Sequence, residues 1–158
     1  MSYKRITTAS LCVIAFVLSQ APLLPAQGTS DPEIEVLDRK VKQFLEGVSM
    51  DDAQAAYQQL LSGSQFAKQT EAVKALVDKT RELKTKYGDF RGFEQIAAKR
   101  IGKDVVMLKY LYQCEQFPVA WHVTFYRTPP RGDLPAEEGN TWRVIILRFD
   151  TDLEALAR

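Results

Sequence analysis

The residues able to do chemistry in this chain are few. It holds one histidine, His122, and two cysteines, Cys12 and Cys114. A Cys–His dyad would need the His122 imidazole beside the Cys114 thiol to take its proton. The alternation of apolar and polar residues around both opposes this: it sets Cys114 with the inward-facing residues and His122 on the opposite face of the same sheet. Cys114 then reads as a buried, inert thiol, and His122 as a surface or interface residue. Isomerase or dehydratase chemistry would need a base over a substrate proton, yet Asp104 and Glu115 stand at segment ends. One histidine, few thiols and scattered carboxylates make no zinc or iron ligand set. We therefore assign no catalytic residue, no metal ligand and no cofactor. Arg131-Gly132-Asp133 matches the tripeptide of integrin ligands, but three residues flanked by Pro and Gly are turn chemistry.

Binding has better material. Tyr57, Tyr110, Tyr112 and Trp121 offer apolar surface with polar tips, the composition that lines a pocket and orients a small apolar ligand. Plain packing competes with this reading, because a small core needs large side chains.

The elements that position these residues begin after a leader. Lys4 and Arg5 precede the apolar run Leu11 to Leu18, and a Pro-rich small-residue stretch follows. This is the pattern of a secretory signal, with cleavage expected after Ala26. The run is too short to cross roughly 30 Å of hydrocarbon, so no stable membrane anchor is expected. Cys12 lies at the start of the run instead of closing it and follows bulky Leu11, which excludes a lipid-anchored cysteine. The expected organisation is a signal peptide over 1–26 and a single domain over 27–158, with its core in about 31–150, exported to the periplasm or the exterior. Removing Lys4 and Arg5 leaves 19 of the 21 basic residues against 20 acidic ones, a net charge near −1. That balance gives no footprint for nucleic acid or a polybasic membrane surface. Cys114 is then the sole cysteine, so no internal disulfide can form.

Asp31-Pro32 opens a first helix as N-cap and first helical residue. Ile34, Leu37, Val41, Phe44, Leu45 and Val48 follow as one apolar stripe, and Gly47 is expected to end it. Ser49-Met50-Asp51-Asp52 resembles a capping box for a second helix that buries Ala53, Ala56, Tyr57, Leu60 and Leu61. Ser62-Gly63-Ser64 stops it. A third helix is predicted from Thr70 to Tyr87, ending at Gly88, with Val73, Leu76, Val77, Thr80, Leu83 and Tyr87 inward. Lys74/Asp78 and Glu82/Lys86 are spaced to pair on its solvated face.

After Gly88 the period falls to two. Segments 93–101, 104–114, 118–128 and 141–149 are rich in β-branched and aromatic residues. Turns fall at Gly102-Lys103 and at Glu115-Gln116-Phe117-Pro118, and 129–140 forms a long exposed hairpin loop. The second turn predicts Tyr112 opposite Trp121, Tyr110 opposite Val123 and Leu108 opposite Phe125, all on the core face. Val105–Leu108 and Val144–Leu147 are apolar at every position, which implies cover on both faces. Helices followed by strands make the fold class α+β, with N-terminal helices packed on a curved four-stranded antiparallel sheet.

Helices leading into such a sheet, a Tyr87-Gly88-Asp89-Phe90 junction and a Trp142-Arg143-Val144 last strand resemble the nuclear transport factor two-like (cystatin-like α+β) superfamily. The likeness covers roughly 36–149 and is strongest to its small exported bacterial members of unknown function. It implies a cone-like sheet around helices, often with a pocket at the wide end. Its members include isomerases, dehydratases and plain binding or assembly modules, so fold alone fixes little. Three readings follow. The first is a non-catalytic binding or protein-interaction module, homodimeric through the sheet. The second is a small-molecule enzyme using the pocket, and the third is a structural envelope protein. A deep pocket holding a carboxylate would favour the enzyme; a filled interior would favour interaction or structure.

Overall fold

The computed structural model describes residues 31–128 and 142–156, apart from the side chain of residue 155. The expected signal peptide, the 129–140 loop and Arg131-Gly132-Asp133 lie outside these residues. Three helices precede four strands: α1 Pro32–Ser49, α2 Ala53–Leu61, α3 Thr70–Tyr87, then β1 Phe90–Ile101, β2 Val105–Cys114, β3 Val119–Arg127 and β4 Trp142–Asp150. Short 3₁₀ turns η1 (Phe66–Lys68) and η2 (Leu153–Leu156) complete the order. The strands form one antiparallel sheet in the sequence order β1-β2-β3-β4. The α+β class and the packing of helices on the sheet are those expected.

Asp31 caps α1 as its sequence predicts, its carboxylate accepting the Glu33 amide at 3.0 Å, with Pro32 in the first turn. Leu37, Val41, Phe44, Leu45 and Val48 are buried in a core shared with α2, α3 and the inner face of the sheet. The helix does not stop at Gly47. It runs on to Ser49, and Gly47 serves a different purpose: a β-carbon there would lie 2.9 Å from Ala56 Cβ. Glycine lets α1 and α2 approach closely. The capping box is also absent. Ser49 is the last residue of α1 and donates to Glu46 O at 2.7 Å, while α2 starts after Asp52 without a side-chain cap. The third helix has the predicted limits, with Gly88 at φ 87° closing it. The pairs Lys74–Asp78 and Lys86–Glu82 form at 3.9 and 2.5 Å on its exposed side.

A charged cluster ties the start of α1 to the sheet. Arg100 reaches Asp31 at 2.6 Å and Glu33 at 2.8 Å, and Arg127 reaches Glu33 at 2.8 Å and Asp104 at 2.9 Å. Both guanidiniums lie over the Trp142 ring, 5.5 and 5.2 Å from its centre.

The strand faces are those the alternation predicts, but the pairing between β2 and β3 is offset by two residues. Tyr112 faces Val119, Tyr110 faces Trp121 and Leu108 faces Val123. A slip of two keeps every side chain on its face, whereas a slip of one would invert them. The cause lies in the turn. Glu115 N donates to Asp89 O and Gln116 N to Tyr87 O, so the turn amides hold the α3–β1 junction instead of closing the hairpin. Cys114 accordingly pairs with Phe90 of β1. The continuous apolar run in β4 also has a local cause. A bulge at Ile145 leaves Val144 and Leu147 both buried and Ile145 and Ile146 both outward, about half exposed. Double cover is not needed to explain it.

Candidate functional site

The four aromatic residues proposed as a pocket wall are all buried, and they occupy three different settings. Trp121 is enclosed between Phe44 and Phe149, with ring centres 5.2 and 4.5 Å away. Its indole Nε1 is buried without a hydrogen-bond partner. Tyr57 packs edge-on against Phe44 at 5.0 Å. The Thr80 hydroxyl spends its proton on Leu76 O at 2.8 Å, so the Tyr57 O–H donates to Thr80 Oγ1 at 2.9 Å. Tyr110 donates to the Asp38 carboxylate, which also holds Lys42 at 2.8 Å. Burial, then the neighbouring Asp38, push the Tyr110 phenol far above its ordinary range, so it acts as a neutral donor.

Tyr112 alone of the four lines a described cleft. This cleft, about 370 Å³, lies between the α1–α2 turn, the C-terminal half of α3 and the ends of β1 and β2. Val48, Ala53, Leu83, Phe90 and Tyr112 contribute its apolar surface, and Thr80 and Cys114 add a hydroxyl and a thiol. Phe90 stacks on Tyr112 with ring centres 4.7 Å apart. Burial raises the Cys114 pKa, which keeps the thiol protonated and weakly nucleophilic. Charge sits at the mouth. Asp51 holds a left-handed backbone, φ 63°, and is exposed, a conformation Asp tolerates better than most residues. Asp89 is exposed and paired to Lys84 at 2.9 Å. Hydrogen bonding to Asp89 in turn raises the Lys84 pKa.

A second cleft, about 170 Å³, opens between α1, α2 and the sheet. Lys40, Phe44, Gln59, Leu60, Ser62 and Trp142 are among its walls. Sequence reading passed over Lys40 and Asp38. Both could have been found, because Lys40 lies three residues after Leu37 and four before Phe44, and Asp38 four after Ile34. Each is a polar residue standing on the apolar stripe of α1.

His122 lies on the outer face of the sheet, opposite Lys109 and Arg148, and far from any thiol partner on the inner face. Of the two settings expected, surface or interface, an exposed surface is ruled out: its exposure is 6%, and η2 packs back against β3. Its Nε2 is buried without a partner. Burial first, then Arg148 and Lys109, lower its pKa against the opposing pull of Asp150 and Asp152. Among the described residues no cluster of three His, Cys, Asp or Glu could hold a metal ion. Nor is any helix among them long and apolar enough to cross a membrane.

Comparison of the chain with family models, curated proteins and solved structures finds no significant match.

Proposed function

We propose that this chain is an exported, non-catalytic binding or protein-interaction module of the nuclear transport factor two-like kind, acting in the periplasm or outside the cell. One observation carries the reading: three of the four aromatic residues expected to wall a pocket are packed into the core and open on no described cleft. All three are wholly buried, Tyr57 and Trp121 packed edge-on against Phe44 and Tyr110 edge-on against Phe93. Among the described residues no cleft opens on these three rings, so recognition falls to the two clefts described above and to the faces of the fold. The single histidine points away from both clefts. The charge pattern of Lys4 and Arg5 ahead of Leu11–Leu18 supports export.

Self-association through the outer face of the sheet belongs to this reading. Ile101, Tyr126, Ile145 and Ile146 expose 38–48% of their surface, and Val105 and Met107, half-buried, lie on the same face of β2. Exposed apolar residues grouped on one face of a sheet mark a contact region, and a two-fold dimer would cover them.

The enzyme reading keeps one supporting observation, the Asp51 and Asp89 carboxylates at the mouth of the 370 Å³ cleft. A fragment screen by ligand-observed NMR on residues 27–158, with amide shifts mapping each hit, separates the two. Saturable hits beside Leu83 and Tyr112, with fragments recovered intact, support a binding module. Conversion of a fragment that is lost in Asp51→Asn or Asp89→Asn would replace it with the enzyme.

A further inference from the structure

One of the three buried tyrosines has a hydroxyl that the protein does not use. Tyr57 donates to Thr80 and Tyr110 to Asp38. Among the described residues nothing accepts the Tyr112 O–H or donates to its oxygen, although Tyr112 is only 4% exposed. A buried hydroxyl without an acceptor costs stability, and native structures seldom keep one without a reason. Trp121 Nε1 and His122 Nε2 are also unpartnered, but both are sealed from solvent. The Tyr112 oxygen is not sealed, and the opening that Tyr112 lines is the 370 Å³ cleft.

The surroundings define what would accept that proton. Burial, then Cys114, raise the Tyr112 pKa, so the phenol is a neutral donor. Cys114, two residues further along the same face of β2, adds a thiol that burial keeps protonated. Thr80 adds no donor, because its proton is on Leu76 O. The four charged residues of the wall, Asp51 and Asp89 against Arg81 and Lys84, are all exposed and cancel. A formal charge brought in beside Tyr112 would lose its water with no buried counter-charge to replace it. A neutral acceptor meets no such penalty. Phe90 lies on Tyr112 with ring centres 4.7 Å apart and keeps 36% of its surface exposed, and Leu83 adds apolar wall. We propose that this cleft binds a small neutral molecule with a carbonyl group and an apolar, ring-bearing body, its carbonyl oxygen accepting the Tyr112 O–H and its ring lying against Phe90 and Leu83. A volume of about 370 Å³ stands at the lower end of ordinary small-ligand pockets and suits one or two rings. This assignment rests on the binding-module reading and names the ligand class of the same cleft.

The test is an amide NMR titration of residues 27–158 with acetophenone. Ethylbenzene, which has the ring but no acceptor, and benzoate, which carries a charge, are titrated in parallel. Acetophenone is expected to shift the Leu83 and Tyr112 signals saturably, and the other two to bind roughly five-fold more weakly. Tyr112→Phe, which removes only the hydroxyl, should lower acetophenone to the level of ethylbenzene and leave ethylbenzene unchanged. Tyr126→Phe, on the outer face of the sheet, should change neither. Tyr112→Phe should melt no lower than wild type, whereas Tyr57→Phe, which loses a satisfied hydrogen bond, should melt lower. Equal binding of acetophenone and ethylbenzene, tighter binding of benzoate, or full acetophenone binding by folded Tyr112→Phe would each overturn the carbonyl assignment while leaving the cleft a binding site. Acetophenone shifts that are absent, or confined to residues away from the cleft, would overturn it too; the broader fragment screen then shows whether the module reading falls with it. The acetophenone–ethylbenzene comparison on the wild-type chain decides without any variant.

Discussion

Gly47 of α1 faces Ala56 of α2 so closely that a β-carbon on Gly47 would sit 2.9 Å from Ala56 Cβ. Replacing a helical glycine by alanine ordinarily stabilises by roughly 0.5–1 kcal/mol. Here the sign is expected to reverse. Neither β-carbon can move without its backbone, so Gly47→Ala should destabilise by about 1–3 kcal/mol through overpacking. Adding Ala56→Gly should recover part of the loss, and urea melts of the single and double variants read both effects. A stabilised Gly47→Ala would show that the helices can separate freely.

Trp121 and His122 are neighbours on opposite faces of β3, and they should respond very differently to truncation. Trp121 is enclosed between Phe44 and Phe149, so Trp121→Ala should cost roughly 3–5 kcal/mol or unfold the chain. His122→Ala should cost less, because it also removes a buried nitrogen that has no partner. Denaturant melts giving the reverse order would invert the face assignment of the whole sheet.

The buried imidazole also predicts a pH response. The folded state holds the His122 pKa below the ordinary value of 6.5, so the unfolded chain binds the proton more readily. Stability should be full above pH 6.5 and fall as pH drops below it, down to the folded-state pKa. Burial is the main cause of the lowered pKa, with Arg148 and Lys109 adding to it and Asp150 and Asp152 opposing it. Urea melts from pH 8 to 5 should show this fall in the wild type and a weaker one in His122→Gln. A fall of equal size in both would assign it to other groups.

Export predicts a shortened chain. N-terminal sequencing of material secreted by a host is expected to begin at Gln27, after Ala26. A membrane-bound chain that retains Met1 would contradict it.

Much of the fold was legible because local rules and tertiary packing agree. Asp31-Pro32 and Gly88 delimit helices by their own backbone chemistry, and alternation assigns strand faces whatever the loop does. The misread positions are those where a distant contact decides. Gly47 reads as a helix stop until Ala56 is placed against it. Ser49 reads as a cap until its hydroxyl turns back to Glu46. The β2–β3 pairing depends on turn amides committed to Tyr87 and Asp89, a contact that the turn's own sequence does not contain. The proposed aromatic wall mixes residues that the alternation correctly turns inward with a cavity that alternation cannot supply. Of these, only Tyr112 opens to a described cleft. Lys40 was hidden by its charge, which reads as solvated surface although its place on the α1 stripe says otherwise.

The reading as an interaction module rests most directly on the solution mass of residues 27–158. Multi-angle light scattering at micromolar concentration should give twice the chain mass for the wild type. Met107→Glu or Ile146→Glu, each placing a charge on the outer face of the sheet, should return it to a monomer without loss of fold by circular dichroism. A wild-type monomer, unchanged by either substitution, would contradict the account.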